Sequence, residues 1–226
     1  MSDAAAVARR EKVLGAIRTR LGNSGGKREA VEARIAGQAR HLVPERSRQD
    51  ASGLKALFAA QLRAGNATVV ESASEADLPR IVASYLRGQN LPLTLRAGED
   101  AWLRGIDWSR EPAISITKGP AVPADEVGLT HAVAAVAETG TLVLASGPEN
   151  PVTVTFLPET SIIVVRAADL VGPYEAAFDL IRERYGHGTM PRTLNLVSGP
   201  SRTADVGGRL VTGAHGPRRL CVVIVG

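Results

Sequence analysis

Three features of this 226-residue chain predict an α/β fold built on an open, mostly parallel sheet. From about residue 66 onward, short apolar runs alternate with stretches whose apolar residues recur at helical spacing. Ser-Ile-Ile-Val-Val at 161–165 and Leu-Cys-Val-Val-Ile-Val at 220–225 are almost continuously apolar, as strands covered on both faces are. Loops of glycine, proline and hydroxyl residues adjoin several of these runs, where a sheet of this kind presents its edge to ligands.

Taken in order, Val7, Leu14, Ile17 and Leu21 recur at helical spacing until Gly22-Asn23-Ser24-Gly25-Gly26 breaks the pattern, which predicts one amphipathic helix. Val31, Ile35 and Leu42 mark a second helix ended near Pro44, and Leu54, Leu57, Phe58 and Leu62 mark a third that stops before Gly65-Asn66. Residues 1–65 are therefore expected to form a basic helical extension, either packed as a cap or offered to a partner, with 66–226 as the α/β domain.

Thr68-Val69-Val70 predicts the first strand. Ser74-Glu75-Ala76-Asp77 reads as the start of a helix whose buried face is Leu78, Ile81, Val82, Tyr85 and Leu86, closed by Gly88. Strands are predicted at 93–95 and 113–116, either side of a segment holding Trp102 and Trp108, then at 127–130, 140–145 and 161–165, with an alanine-rich stretch at 132–137. Pro173 suits the first turn of a helix whose stripe is Tyr174, Phe178, Ile181 and Tyr185, ended by Gly186. Strands at 193–197 and 220–225 complete the set.

Composition narrows the class. A hydrophobic content of 44% and a charged content of 22% are those of an ordinary globule, and no run approaches the roughly 18 apolar residues of a membrane span. The first residues lack the apolar core of a signal peptide, so a cytoplasmic protein is expected. The net charge of +4 comes largely from the first fifty residues, but acids are interleaved with the bases there, as on solvated helix faces. No zinc finger, aromatic platform or helix-turn-helix supports nucleic-acid binding. The single cysteine, Cys221, forms no intrachain disulfide and cannot by itself hold an iron–sulfur cluster, which ordinarily takes four thiolates. His41, His131 and His187 have no metal-ligand spacing with one another or with acids, and no metal site is expected.

Four loops stand out: Thr117-Lys118-Gly119-Pro120, Ser146-Gly147-Pro148, Ser198-Gly199-Pro200-Ser201-Arg202-Thr203 and Gly213-Ala214-His215-Gly216-Pro217. In the third, Ser201 is read as the cap of a helix starting at Arg202, whose free amides, with Arg202 itself, suit a carboxylate or phosphate. Ser198, Gly199, Ser201, Arg202, Thr203 and Lys118 are the candidate anion ligands. Alternatively Ser201 only caps, and Arg202 pairs with Asp205 or Glu138. Glu138, an acid in a small apolar run before Thr139-Gly140-Thr141, is a candidate base or nucleophile, or else a structural acid. His215, bracketed by glycine and proline, is a candidate acid–base group or a turn hydrogen bond. The phosphate-binding G-x-x-x-x-G-K-[ST], the G-x-G-x-x-G and the G-x-S-x-G patterns are absent, which argues against nucleotide kinases, Rossmann dehydrogenases and α/β-hydrolases.

Taken together, A-E-T-G-T-L-V-L (137–144), L-P-E-T-S-I-I-V-V (157–165), S-G-P-S-R-T-A-D (198–205) and G-A-H-G-P (213–217) resemble the lactate-utilisation protein C family of the LUD domain group, over roughly residue 54 to the end. The resemblance implies a three-layer α/β/α fold similar to the sugar-isomerase and CoA-transferase-like group. It also implies a role beside two iron–sulfur partner proteins in oxidising L-lactate to pyruvate. With one cysteine, this subunit is expected to carry no cluster and to leave electron transfer to those partners. A second reading is a self-sufficient enzyme resembling CoA transferases or folate cyclo-ligases, with Glu138 as nucleophile or base on a carboxylate- or phosphate-bearing molecule.

Overall fold

The structure, a computed structural model, describes residues 3–22, 25–37, 40, 42–206 and 208–226. It divides into residues 1–42 and 43–226. The first unit holds α1 (Asp3–Leu21) and α2 (Gly25–Gly37), whose charges pair locally, as in Arg28 with Glu32 at 2.8 Å. Val7, Ile17, Leu21, Val31 and Ile35 are exposed. The second predicted helix ends earlier than expected, at Gly37, and Leu42 lies outside it. Asn23 and Ser24 of the predicted break, and His41, lie outside the described residues.

The third predicted helix belongs with the sheet. In α3 (Ala51–Ala64), Asp50 caps the first turn by accepting from the Gly53 amide at 2.8 Å, and Phe58, Ala59 and Leu62 are buried. The compact α/β unit thus begins near Val43, and α3, grouped above with the extension, is part of its core.

At its centre six strands run parallel in the order β1 (Thr68–Ser72), β12 (Arg219–Val225), β7 (Thr160–Arg166), β4 (Val127–His131), β2 (Thr94–Ala97) and β3 (Ser115–Lys118). The side-chain period of two explains the continuous apolar runs. Leu220, Val222 and Ile224 of β12 enter one core with Ile163 and Val165, whereas Cys221, Val223 and Val225 enter another with Ile162 and Val164. Cys221 is fully buried, and burial pushes its thiol up to about 12, which makes it a core residue and a poor thiolate.

One face is covered by α4 (Leu78–Gly88), through Leu78, Val82 and Leu86, and by α5 (Ala101–Gly105). Ser74 caps a 3-10 turn over Glu75–Asp77 that leads into α4, its hydroxyl accepting from the Ala76 amide at 3.2 Å. On the other face lie α3 and a second sheet, ordered β8 (Leu170–Val171), β5 (Ala134–Val136), β6 (Thr141–Ala145) and β9 (Leu194–Val197). Apolar runs predict β6 and β9 as strands, though not which sheet they join, whereas β5 lies in the alanine-rich stretch and the two-residue β8 carries no sequence signal. Ala132, Ala135 and Ala137 are small enough to let this sheet pack closely on Ile163 and Val222.

The remaining helices are α6 (Val152–Phe156) and α7 (Tyr174–Tyr185), the latter over the outer face of the second sheet. Its buried stripe centres on Ala177 and Ile181, so Phe178, predicted to be inside, is 37% exposed. The helix predicted from Arg202 does not form. Residues Arg202–Val206 are strand β10, paired antiparallel with β11 (Arg209–Thr212). The sequence Gly207-Gly208 between two β-prone runs is a hairpin signal, and Gly208 takes a φ of 69° there.

Candidate functional site

The third and fourth loops meet at the amino ends of β7 and β12. The Ser201 amide donates to the Pro217 carbonyl at 2.8 Å, the Gly213 amide donates to the Ser201 carbonyl at 2.8 Å, and the His215 amide donates to Ser201 Oγ at 3.2 Å. Ser201 is thereby fixed as a clasp between the two loops. Around it opens a cleft of about 340 Å³, whose lining includes Ser161, Ser198, Arg202, Thr203, His215 and Gly216. Ser161 Oγ is buried there without a hydrogen-bond partner. The loop approaches α3 closely at Gly199, where an added Cβ would lie 2.8 Å from the Gly65 carbonyl oxygen.

A cluster of hydroxyls ties this cleft to the 137–144 block. Thr141 Oγ1 lies 2.7 Å from Thr139 Oγ1, 2.8 Å from the Tyr174 hydroxyl and 2.7 Å from Ser198 Oγ. The four sequence blocks are thus brought together: 137–144 through Thr141, 157–165 through Ser161, and the two loops directly. Ser198, Gly199, Ser201, Arg202, Thr203 and His215 share the cleft.

Glu138 and Lys118 do not line it. The Glu138 carboxylate, 15% exposed, accepts from Arg46 at 3.4 Å, and its amide donates to the Gly172 carbonyl at 3.1 Å. Its ion-pair partner is therefore Arg46 and not Arg202. Lys118 ends edge strand β3, at the opposite end of the sheet, where its carbonyl accepts from Arg96 at 3.2 Å. The helix amides expected at Arg202 are absent because that segment is a strand, so an anion in the cleft would rest on the Arg202 guanidinium, hydroxyls and loop amides. The Ser198 loop was expected to follow a strand of the parallel sheet, but β9 lies in the second sheet, and the loop comes out at the amino ends of the parallel strands.

The carboxyl ends hold a second cavity, of about 460 Å³. Its wall includes His131 at the end of β4, Asp100 beyond β2, Arg166 at the end of β7, Glu149, and Arg184 from the last turn of α7. Asp100 caps α5, Oδ1 accepting from the Leu103 amide at 2.8 Å, while Oδ2 lies 3.2 Å from His131 Nδ1. Trp102, the second residue of the same helix, stacks on the His131 ring with centroids 4.6 Å apart. Burial pushes the Asp100 carboxyl up, but hydrogen bonds from His131 and the Leu103 amide, with the nearby charges of His131 and Arg184, outweigh it and hold the carboxyl below its usual value. Sequence reading passed over this pair because it tested histidines for metal spacing only. His131 directly follows a predicted strand, which is the signal that marks it.

A depressed carboxylate contributes stability that is present above its unfolded pKa of about 3.9 and lost as pH falls through the lower folded value. Asp100→Asn is therefore expected to cost about 1–3 kcal/mol at neutral pH. The gap to wild type should close below about pH 4, as read by urea denaturation across pH.

Comparison with known proteins decides the family. The sequence profile described as the LUD domain matches residues 55–225. This chain belongs to the LUD domain family. The LUD domain starts inside α3, and all four sequence blocks and both cavities lie within it. Similar proteins include lactate utilization protein C of Bacillus subtilis, 37% identical over 100 residues that cover 44% of this chain and 42% of that one. Lactate utilization protein C of Shouchella clausii is 36% identical over 44% of each chain. The match thus spans less than half the length of these relatives. That of Geobacillus kaustophilus is 32% identical over 161 residues, 66% of this chain and 67% of that one. A solved DUF162 family protein from Deinococcus radiodurans superposes with a TM-score of 0.59 over 79% of this chain and 99% of that one, at 22% identity, and shares the fold of the LUD domain. Among the described residues no cluster of His, Cys, Asp and Glu forms a metal site, and no helix is long and apolar enough to cross a membrane.

Proposed function

We propose that this chain serves in lactate utilisation, in the cytoplasm, as an accessory or substrate-handling component that binds a small carboxylate or phosphate in the cleft and works beside iron–sulfur partner proteins. The lactate role is supported by its similarity to the lactate utilization C proteins. The observation that carries the site is that four sequence blocks far apart in the chain converge on one cleft holding Arg202, His215 and the unpartnered Ser161 hydroxyl. Arg202 supplies a fork that suits carboxylate or phosphate oxygens, and Ser198, Ser201 and Thr203 supply hydroxyl donors. His215 stands beside them with ring nitrogens able to hydrogen-bond a bound oxygen.

The chain's only thiol is buried and its pKa raised, so it supplies no cluster ligand, and the two electrons removed in turning lactate into pyruvate are assigned to iron–sulfur partners. Affinity purification of the tagged full chain from L-lactate-grown cells tests this. Recovery of iron–sulfur proteins is expected. Recovery of none, with normal growth on lactate after deletion of the gene, overturns it.

A further inference from the structure

The cleft leaves unexplained the polar groups gathered at the other end of the sheet. His131 is 4% exposed, and its Nδ1 is held by Asp100 at 3.2 Å. Nδ1 faces that carboxylate, and the other ring nitrogen, Nε2, is buried without a hydrogen-bond partner. Buried polar atoms are nearly always satisfied, so this one calls for a partner. Stacking on Trp102 fixes the plane in which the partner must arrive.

The charges in the same wall are unequally committed. Asp100 is occupied by His131 and the Leu103 amide, and Arg166 is occupied by Asp169 at 2.6 and 3.1 Å. Arg184 pairs with no carboxylate among the described residues; its guanidinium lies over the Tyr185 ring, 6.0 Å from the centroid. Glu149, exposed at the rim, disfavours a second negative charge on anything that enters. The cavity therefore offers one uncommitted cation, one unpartnered ring nitrogen and room for a small molecule, at the strand ends where open sheets bind ligands.

We infer that the carboxyl-end cavity is a second binding site, for a 2-hydroxycarboxylate monoanion, with Arg184 taking the carboxylate and His131 Nε2 hydrogen-bonded to the adjacent hydroxyl. Choosing L-lactate as the probe rests on the lactate role proposed above. The site itself rests on the geometry, and its failure leaves that role standing.

Calorimetric titration of the full chain with L-lactate, propionate and L-alanine tests the inference, together with ring ¹⁵N spectra of the histidines. L-Lactate is expected to bind at least about tenfold more tightly than propionate, which lacks the hydroxyl. Arg184→Gln, a surface change that leaves the core intact, should weaken L-lactate at least about tenfold. Arg80→Gln, remote from the cavity, should not. The His131 Nε2 resonance should move with L-lactate and stay with propionate. Absence of L-lactate binding, equal affinity for propionate, or tighter binding of L-alanine overturns the inference. So does loss of lactate binding in Arg202→Gln with Arg184→Gln unaffected, which would place lactate in the cleft and keep the lactate role.

Discussion

Gly128→Ala is expected to destabilise the α/β unit by about 3 kcal/mol. Gly128 lies in β4, between β2 and β7, and an added Cβ would sit 1.9 Å from the Val154 carbonyl oxygen and 3.0 Å from its carbonyl carbon. The obstacle is the backbone of α6, which has no rotamer through which to move aside. Either β4 leaves its register with β7 or α6 lifts from the sheet, and α6 ends at Phe156, which lines the cleft. Urea denaturation should show the loss at an unchanged slope. A midpoint equal to wild type would contradict the close approach of α6 to the sheet.

Thr141→Val is expected to cost about 2–4 kcal/mol, although it changes neither volume nor branching much. Thr141 is fully buried, and its hydroxyl uses its one donor and two acceptor sites on Thr139, Tyr174 and Ser198. Valine removes all three bonds at once and leaves Tyr174 and Ser198 short of partners inside the protein. In a Ser198→Ala background the loss should shrink, because one of the stranded groups has gone, and a double-mutant cycle by chemical denaturation reads that coupling. Additive losses would mean that the hydroxyl cluster does not tie the cleft loop to β6.

The longer strands and helices from residue 66 onward are legible because their signals are local, whereas the short α5, α6, β5 and β8 carry none. The continuous apolar runs of β12 and β7, the helical stripe of α4 and the proline before α7 each announce their element. What could not be read was partnership. β5, β6 and β9 form their own sheet, and α3 joins the core, because of long-range packing of Phe58, Leu142 and Val222 that no window of sequence displays.

The same division holds for the sites. Arg202 and His215 come together as their blocks suggested, whereas Glu138 turns to Arg46, ninety-two residues away in the chain. At Arg202 the local pattern misleads: the preceding serine resembles a helix cap, whereas the segment is a strand of the hairpin that Gly207-Gly208 signals. The His131–Asp100 pair needed only the rule that strand ends carry function, applied to a histidine set aside for lack of metal partners.

The central claim is that the cleft around Arg202 serves lactate utilisation. Growth on L-lactate as sole carbon source, in a strain lacking the gene and complemented with wild type or Arg202→Gln at equal protein level, tests it most directly. Wild type should restore growth and Arg202→Gln should not, while both grow equally on glucose. Full restoration by Arg202→Gln, or normal lactate growth of the deletion strain itself, would contradict the account.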